Sequence, residues 1–237
     1  MTTRLAPLIA GAGVALLAAQ WLSARPLWLD EEMIAINLRD RTLAALAGPL
    51  GLGQSAPFGW LAMERLVLLA AGSGERALRL VPFAFGAATI AAAALIGRRW
   101  LTPAGAVVLA LLCATGRWLT FYFLELKPYS ADAFFGLAIP ALAAWAVPRE
   151  GPRIKDAAQS RIVVWWTIAA AAQWISNGAL FVTPACAIVM LAIVWSRHGW
   201  RTTVRAVAPA AIWLVSFALH YTIVLRHALE NPYLQSF

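Results

Sequence analysis

Groups able to carry acid–base, metal or thiol chemistry are scarce in this chain. Its 237 residues hold eleven carboxylates, three histidines and two cysteines. Cys113 and Cys186 both fall within long apolar runs, so a structural disulfide is not expected and thiol chemistry is not suggested. No Cys/His spacing suits a zinc site, and His198, His220 and His227 are scattered and read as structural. Charged residues make up 13% of the sequence, against roughly 25% in soluble globular domains. That shortage excludes an ordinary soluble domain.

What the chain has instead is apolar length. Hydrophobic residues make up 62% and the mean hydropathy is +0.72. A bilayer span needs roughly 20 mostly apolar residues. Seven windows qualify: 5–24, 77–97, 104–123, 130–147, 162–177, 178–196 and 206–225. The expected fold is all-α: a polytopic integral membrane protein with about seven transmembrane helices, a single unit over residues 1–237. Only Ser176-Asn177-Gly178 separates the fifth window from the sixth, so these form two spans or one long broken element. The first window ends at Leu22-Ser23-Ala24, small residues like those of a secretory cleavage site. Its one basic residue, Arg4, and a run long enough to cross favour an uncleaved anchor.

The distribution of charge sets the expected orientation. With a cytoplasmic N-terminus and alternating sides, the inner segments hold ten bases against two acids, Glu150 and Asp156. The outer segments hold nine bases and nine acids. Short basic loops belong in the cytoplasm, so the chain is expected to sit in the plasma (inner) membrane in this orientation. The pI of about 10.5 is then a signal of topology, not of nucleic-acid binding.

The long connection, residues 25–76, falls on the outer side. Met33, Ile36, Leu43, Ala44 and Leu46 occur at helical spacing around Arg39, Asp40 and Arg41, which suggests a short helix on the membrane surface. A Gly/Pro-rich break follows at residues 48–53, then a second helix from Pro57 to Ala71, too short and too charged for a confident span. The inner loop 148–161 is charged and helix-breaking at its start. Tryptophans such as Trp21, Trp118 and Trp195 sit near interfaces as an ordinary aromatic belt.

Within this apolar frame, Asp30, Glu31 and Glu32 place three consecutive acids just after the first span. Pro26 is placed to open a helix there. Successive helical residues are turned by about 100°, so all three cannot serve one site. The bland account is stabilisation by a helix N-terminus, roughly 0.3–1 kcal/mol each. A second constellation is Glu125-Leu126-Lys127-Pro128-Tyr129-Ser130-Ala131-Asp132. Pro128 disfavours helix at Lys127 and can start the next helix. Glu125 and Lys127, two apart in an extended stretch, are expected on one side. Tyr129 and Asp132 are expected to share a helical face. Lys127 could hold a phosphate as a point charge; the simpler alternative is a local Glu125–Lys127 ion pair. Gln54 lies in a polar turn, Gly53 to Pro57, on the same outer side.

The segments 25–31, 53–57, 77–83 and 125–132, in that order, resemble the GT-C superfamily of membrane glycosyltransferases. The resemblance is to the protein-mannosyltransferase and aminoarabinose-transferase type, especially the RgtA/B/C/D-like branch. It implies inverting transfer of a sugar from a polyprenyl-phosphate donor to a glycan, lipid or protein acceptor on the outer face. By match, Asp30 is the base that activates the acceptor hydroxyl and Glu31 assists it. Glu32, Gln54, Glu125, Lys127, Tyr129 and Asp132 would contribute to substrate binding, with Lys127 near the donor phosphate. No cofactor is implied, and a divalent cation is left open. Members of that family are longer, so this chain is expected to be an N-terminal fragment or module, with 226–237 the start of another outer segment. The rival readings are a transporter or flippase and a non-catalytic partner subunit.

Overall fold

The computed structural model describes residues 5–147 and 156–229, and all regular structure in them is helical. Arg4, the first part of the inner loop expected at 148–161, and the segment from 230 onward lie outside the described residues. Five helices are long and apolar enough to cross a membrane: α1 (Leu5–Leu22), α5 (Leu80–Trp100), α8 (Tyr129–Ala146), α10 (Ala179–His198) and the continuous stretch Trp200–Ala228. That last stretch comprises α11 (Trp200–Val207), α12 (Ala210–His220), a π-helical turn Tyr221–Leu225 and α13 (Arg226–Leu229). The chain is accordingly an all-helical protein of the polytopic membrane type. Leu8, Phe181 and Ile188 stand outward on these helices with at least two thirds of their surface exposed, as lipid-facing side chains do.

The remaining two windows are helical but shorter. The third divides into α6 (Pro103–Thr115) and α7 (Arg117–Tyr122). Gly116 makes the division: its N–H closes on the Leu112 carbonyl, and a Cβ there would lie 2.5 Å from that oxygen. The fifth window is α9 (Asp156–Ala172), of 17 residues. Gln159 Nε2 donates to the carbonyl of Arg205 on α11, so after α10 the chain is back beside the start of α9. The chain therefore reverses at residues 173–178, and α9 and α10 are two antiparallel elements.

Small residues let these helices approach closely. A Cβ on Gly13 of α1 would sit 2.5 Å from the Ala114 Cβ of α6, and one on Gly97 of α5 would sit 2.9 Å from the Ala106 Cα. Close approach through glycine and alanine supplies the van der Waals contact that drives helix association in lipid. Hence α1, α5 and α6 share one core (Ala10, Leu17, Ile90, Ala110), while α8, α9 and α10 share another around Ile139, Trp165 and Met190.

Residues 25–78 form a cap at one end of the bundle. It contains α2 (Leu29–Asp40), a 3-10 turn Ala45–Ala47, α3 (Phe58–Ala71) and α4 (Glu75–Leu78). The first helix opens at Leu29 with Trp28 as its N-cap, three residues past the Pro26 start expected from sequence. It also stops before Leu43 and Leu46. Its buried face is Glu31, Ile34, Ala35 and Leu38, a stripe at i, i+3, i+4 and i+7, while Ile36 is 39% exposed. One face of α2 is thus packed into protein against Trp60, Leu61 and Leu78. At the start of α3 the N–H groups of Gly59 and Trp60 donate to the Trp174 carbonyl, pinning the cap to the 173–178 reversal.

Glu64 is the anomaly of α3. It is fully buried, and neither carboxyl oxygen has a hydrogen-bond partner. Burial pushes its pKa well above the ordinary carboxylate range. The folded state therefore keeps a proton that the unfolded state has lost, and stability falls as pH rises from the unfolded pKa towards the folded one. Thermal unfolding in detergent should show Glu64→Gln lacking this slope, which amounts to up to about 1.4 kcal/mol per pH unit in the native chain. The variant should gain most on the native protein at the alkaline end. A separate test of packing is Gly13→Leu, which should cost about 1–3 kcal/mol by forcing α1 off α6.

Candidate functional site

The two acidic motifs meet where the cap joins the bundle, and a single carboxylate makes the junction. Arg79, between α4 and α5, is 3% exposed. Its Nε donates to Glu31 Oε1 at 2.9 Å and its Nη2 to Oε2 at 2.6 Å, a two-pronged fork. Its Nη1 and Nη2 also donate to the carbonyls of Arg25 and Pro26. Glu31 in turn accepts the Leu126 N–H at 3.0 Å and the Trp28 N–H at 3.2 Å. Four pieces of chain are thereby tied to one fully buried carboxylate: residues 25–28, α2, the start of α5 and the turn before α8. A buried ion pair repays its desolvation only when its other hydrogen-bonding positions are filled, as they are at Glu31.

Residues 123–128 form a tight turn, not the extended stretch expected from sequence. The Lys127 N–H folds back to the Glu125 carbonyl at 2.7 Å. Because Leu126 is held by Glu31, the flanking side chains separate. Lys127 Nζ donates to Gln54 Oε1 at 2.6 Å and lies 3.8 Å from Asp30 Oδ2. No Glu125–Lys127 pair forms within 4 Å. Burial raises the Glu125 pKa, and the Glu31 charge adds to that rise, while Arg25, a Trp28 side-chain hydrogen bond and Lys127 oppose it. Burial lowers the Lys127 pKa, opposed by Asp30, Glu125 and Glu31.

The three consecutive acids diverge, as a helical turn of about 100° per residue requires. Glu31 points into the protein, Glu32 pairs with Arg39 on the same helix, and Asp30 faces Lys127 with 56% of its side chain exposed. Of the residues singled out from sequence, the structure brings Asp30, Lys127 and Gln54 together, with Glu31 and Glu125 beneath them. Tyr129 opens α8 beside them, 43% exposed and edge-on to Tyr122 at 5.0 Å. Asp132 is committed elsewhere: it accepts from Ser176 Oγ at 2.6 Å and from the Gly178 N–H at 2.9 Å, so it holds the 173–178 reversal. Glu32 is likewise occupied by Arg39.

Sequence reasoning gave Arg79 no role beyond its charge, although it stands in the 77–83 segment. The missed signal was on α2. Glu31 occupies the first position of an apolar stripe completed by Ile34, Ala35 and Leu38, and an acid facing inward must either keep its proton, as Glu64 does, or meet a buried cation.

Chemically, the cluster offers a water-exposed carboxylate able to accept a proton and, under 4 Å away, a largely buried ammonium able to face an anion. Among the described residues no group of three or more His, Cys, Asp or Glu side chains could hold a metal ion. No protein-family model, no curated protein and no solved structure matches this chain.

Removing Arg79 strands Glu31 in a dry site. Arg79→Leu should destabilise the chain by about 3–5 kcal/mol. Arg79→Lys should recover only part of that, because a point charge cannot fill both prongs of the fork. Thermal unfolding of the two variants in one detergent measures the difference.

Proposed function

We propose that the chain carries the acidic site of a membrane glycosyltransferase of the GT-C type, acting on a polyprenyl-phosphate-linked sugar. The observation behind this reading is the juxtaposition of an exposed Asp30 carboxylate with the mostly buried Lys127 ammonium 3.8 Å away. The donor has an anionic leaving group and the acceptor a hydroxyl proton to shed. The pair offers one group for each need.

In this mechanism Asp30 takes the proton of an acceptor hydroxyl as that oxygen attacks the anomeric carbon of the donor. The bond from that carbon to the phosphate oxygen breaks on the opposite side, so the configuration inverts. The electron pair leaves with the polyprenyl phosphate, and Lys127 faces its developing charge in a poorly hydrated setting where such an interaction is strong. Gln54 holds the ammonium in place through its Oε1. Glu31 acts one step back, by fixing the start of α2 and hence the direction of Asp30. The excess of bases over acids in the short loops of the far end favours an outer-face site. The acceptor is then a glycan, lipid or protein hydroxyl presented at that face.

Transfer from radiolabelled polyprenyl-phosphate hexoses and pentoses, assayed in membranes bearing the full-length protein, tests the reading. Asp30→Asn should slow transfer by about 10²–10⁴-fold, the usual range for loss of a general base, whereas Glu32→Gln should change it little. Full activity in Asp30→Asn would overturn the base assignment. Impermeant thiol reagents should label a cysteine placed at position 28 from outside the cell; labelling only after lysis would overturn the mechanism.

A further inference from the structure

At the end of the bundle away from the cap, two cavities adjoin. Both α5 and α8 start at the cap, at Leu80 and Tyr129, and both end here. The 18 residues of α8, at 1.5 Å each, set this end about 27 Å from the Asp30–Lys127 pair. One cavity is a cleft of about 140 Å³, lined by Arg99 and Trp100 of α5, Ala144, Trp145 and Val147 at the end of α8, and Arg161 of α9. The other is an apolar groove of about 320 Å³ between α8 and α10, walled by Pro140, Ala185, Val189 and Met190. Ala144 and Val147 line both, so the cleft opens beside the groove. We propose that together they hold one anionic glycerophospholipid of the bilayer, its phosphate between Arg99 and Arg161 and an acyl chain in the groove.

Arg99 and Arg161 stand on different helices and bring like charges to one small cleft. Arg99, in the last turn of α5, complements the negative end of that helix. Arg161 gains nothing of that kind, because it lies in the second turn of α9, towards the positive end. An anion between the two offsets their repulsion and accepts N–H groups from both sides. Each guanidinium also lies over an indole: Arg161 is 5.2 Å from the Trp145 ring centroid, and Arg99 is 5.5 Å from that of Trp100. Stacking engages the face of a guanidinium and leaves its donors pointing outward in the plane. The sequence around the cleft is basic on balance, since residues 148–161 hold Arg149, Arg153, Lys155 and Arg161 against Glu150 and Asp156. Basic pockets among spans, at the level of the headgroups, recognise anionic lipids by such contacts.

The groove distinguishes a lipid from a free phosphate. Trp100 and Trp145 are 36% and 41% exposed at the helix ends, where indoles mark the headgroup level of a bilayer. From there the groove runs back along α8 to Pro140, two helical turns before Val147. Ala143, Ala144 and Ala185 are too small to fill it, and Val189 flanks it with 60% of its surface exposed. A charged cleft at the water-facing end, with an apolar trough leading inward from it, has the layout of one phospholipid. The site lies a helix length from Asp30 and Lys127, so the inference stands without the transferase reading.

Native mass spectrometry of the full-length protein in detergent tests it, with phosphatidylglycerol, phosphatidylcholine and a polyprenyl phosphate offered in equal amounts. One phosphatidylglycerol should be retained in preference to the other two. Arg99→Gln combined with Arg161→Gln should weaken that retention by about tenfold or more, as expected for loss of charge-assisted hydrogen bonds. Arg197→Gln combined with Arg201→Gln removes the same charge from exposed positions outside the cleft, and should leave retention unchanged. Ala144→Trp, at an exposed position shared by both cavities, should block the lipid without altering charge while the protein still elutes as a single species. Equal retention of phosphatidylcholine, equal loss in the two double variants, or retention that Ala144→Trp leaves intact would each overturn the site. Preference for the polyprenyl phosphate would overturn its assignment to a bilayer phospholipid.

Discussion

Arg79 and Glu31 form the contact on which the rest of this end of the molecule depends. Both are almost entirely removed from water, and each is satisfied by the other and by backbone groups from separate segments. The pair is not chiefly a source of stability, because desolvation offsets most of the attraction. Its value lies in geometry. A guanidinium fork against a carboxylate admits one arrangement, so the chain at residues 25–28, the first turn of α2 and the turn before α8 must come together in one register.

Asp30 inherits its position from that arrangement. With Glu31 pinned inward, the preceding residue is rotated to the outside of the helix, towards Lys127 and solvent. Lys127 is set by the same contact from the other side, since Glu31 also holds the Leu126 N–H. One buried acid thus orients Asp30 beside it and, through a contact spanning 95 residues of chain to Leu126, also Lys127. Three consecutive acids end in three different roles: one exposed and facing a cation, one structural, and one paired along its own helix.

Much of the fold was legible in the sequence. Apolar length alone located the five long apolar helices, though not the amphipathic first part of the last one, α11. The 100° turn per residue separated the triplet correctly before any contact was known. Less legible were the places where one side chain interrupts another's pattern. The window at 104–123 reads as continuous because Gly116 costs nothing in hydropathy, yet it ends a helix. Asp132 looked like a site residue by spacing, but the nearest unsatisfied N–H and hydroxyl belong to the 173–178 reversal, and a carboxylate takes the donors within reach. The extended geometry expected at Glu125–Lys127 failed for a similar reason, as Leu126 is drawn to a carboxylate far away in sequence.

By itself, then, the sequence determined that the chain is helical, apolar and rich in spans, and that its acids gather in two short motifs. Those properties follow from local composition and from periodicity, which each segment carries with it. Only the tertiary structure decided that Glu31 is a clasp, that Asp30 is the exposed acid, and that Lys127 faces Asp30 and Gln54 instead of its neighbour Glu125. Those assignments depend on which groups meet in a dry interior. There a charge must be answered by whatever partner the packing brings near, and no stretch of sequence specifies that partner alone.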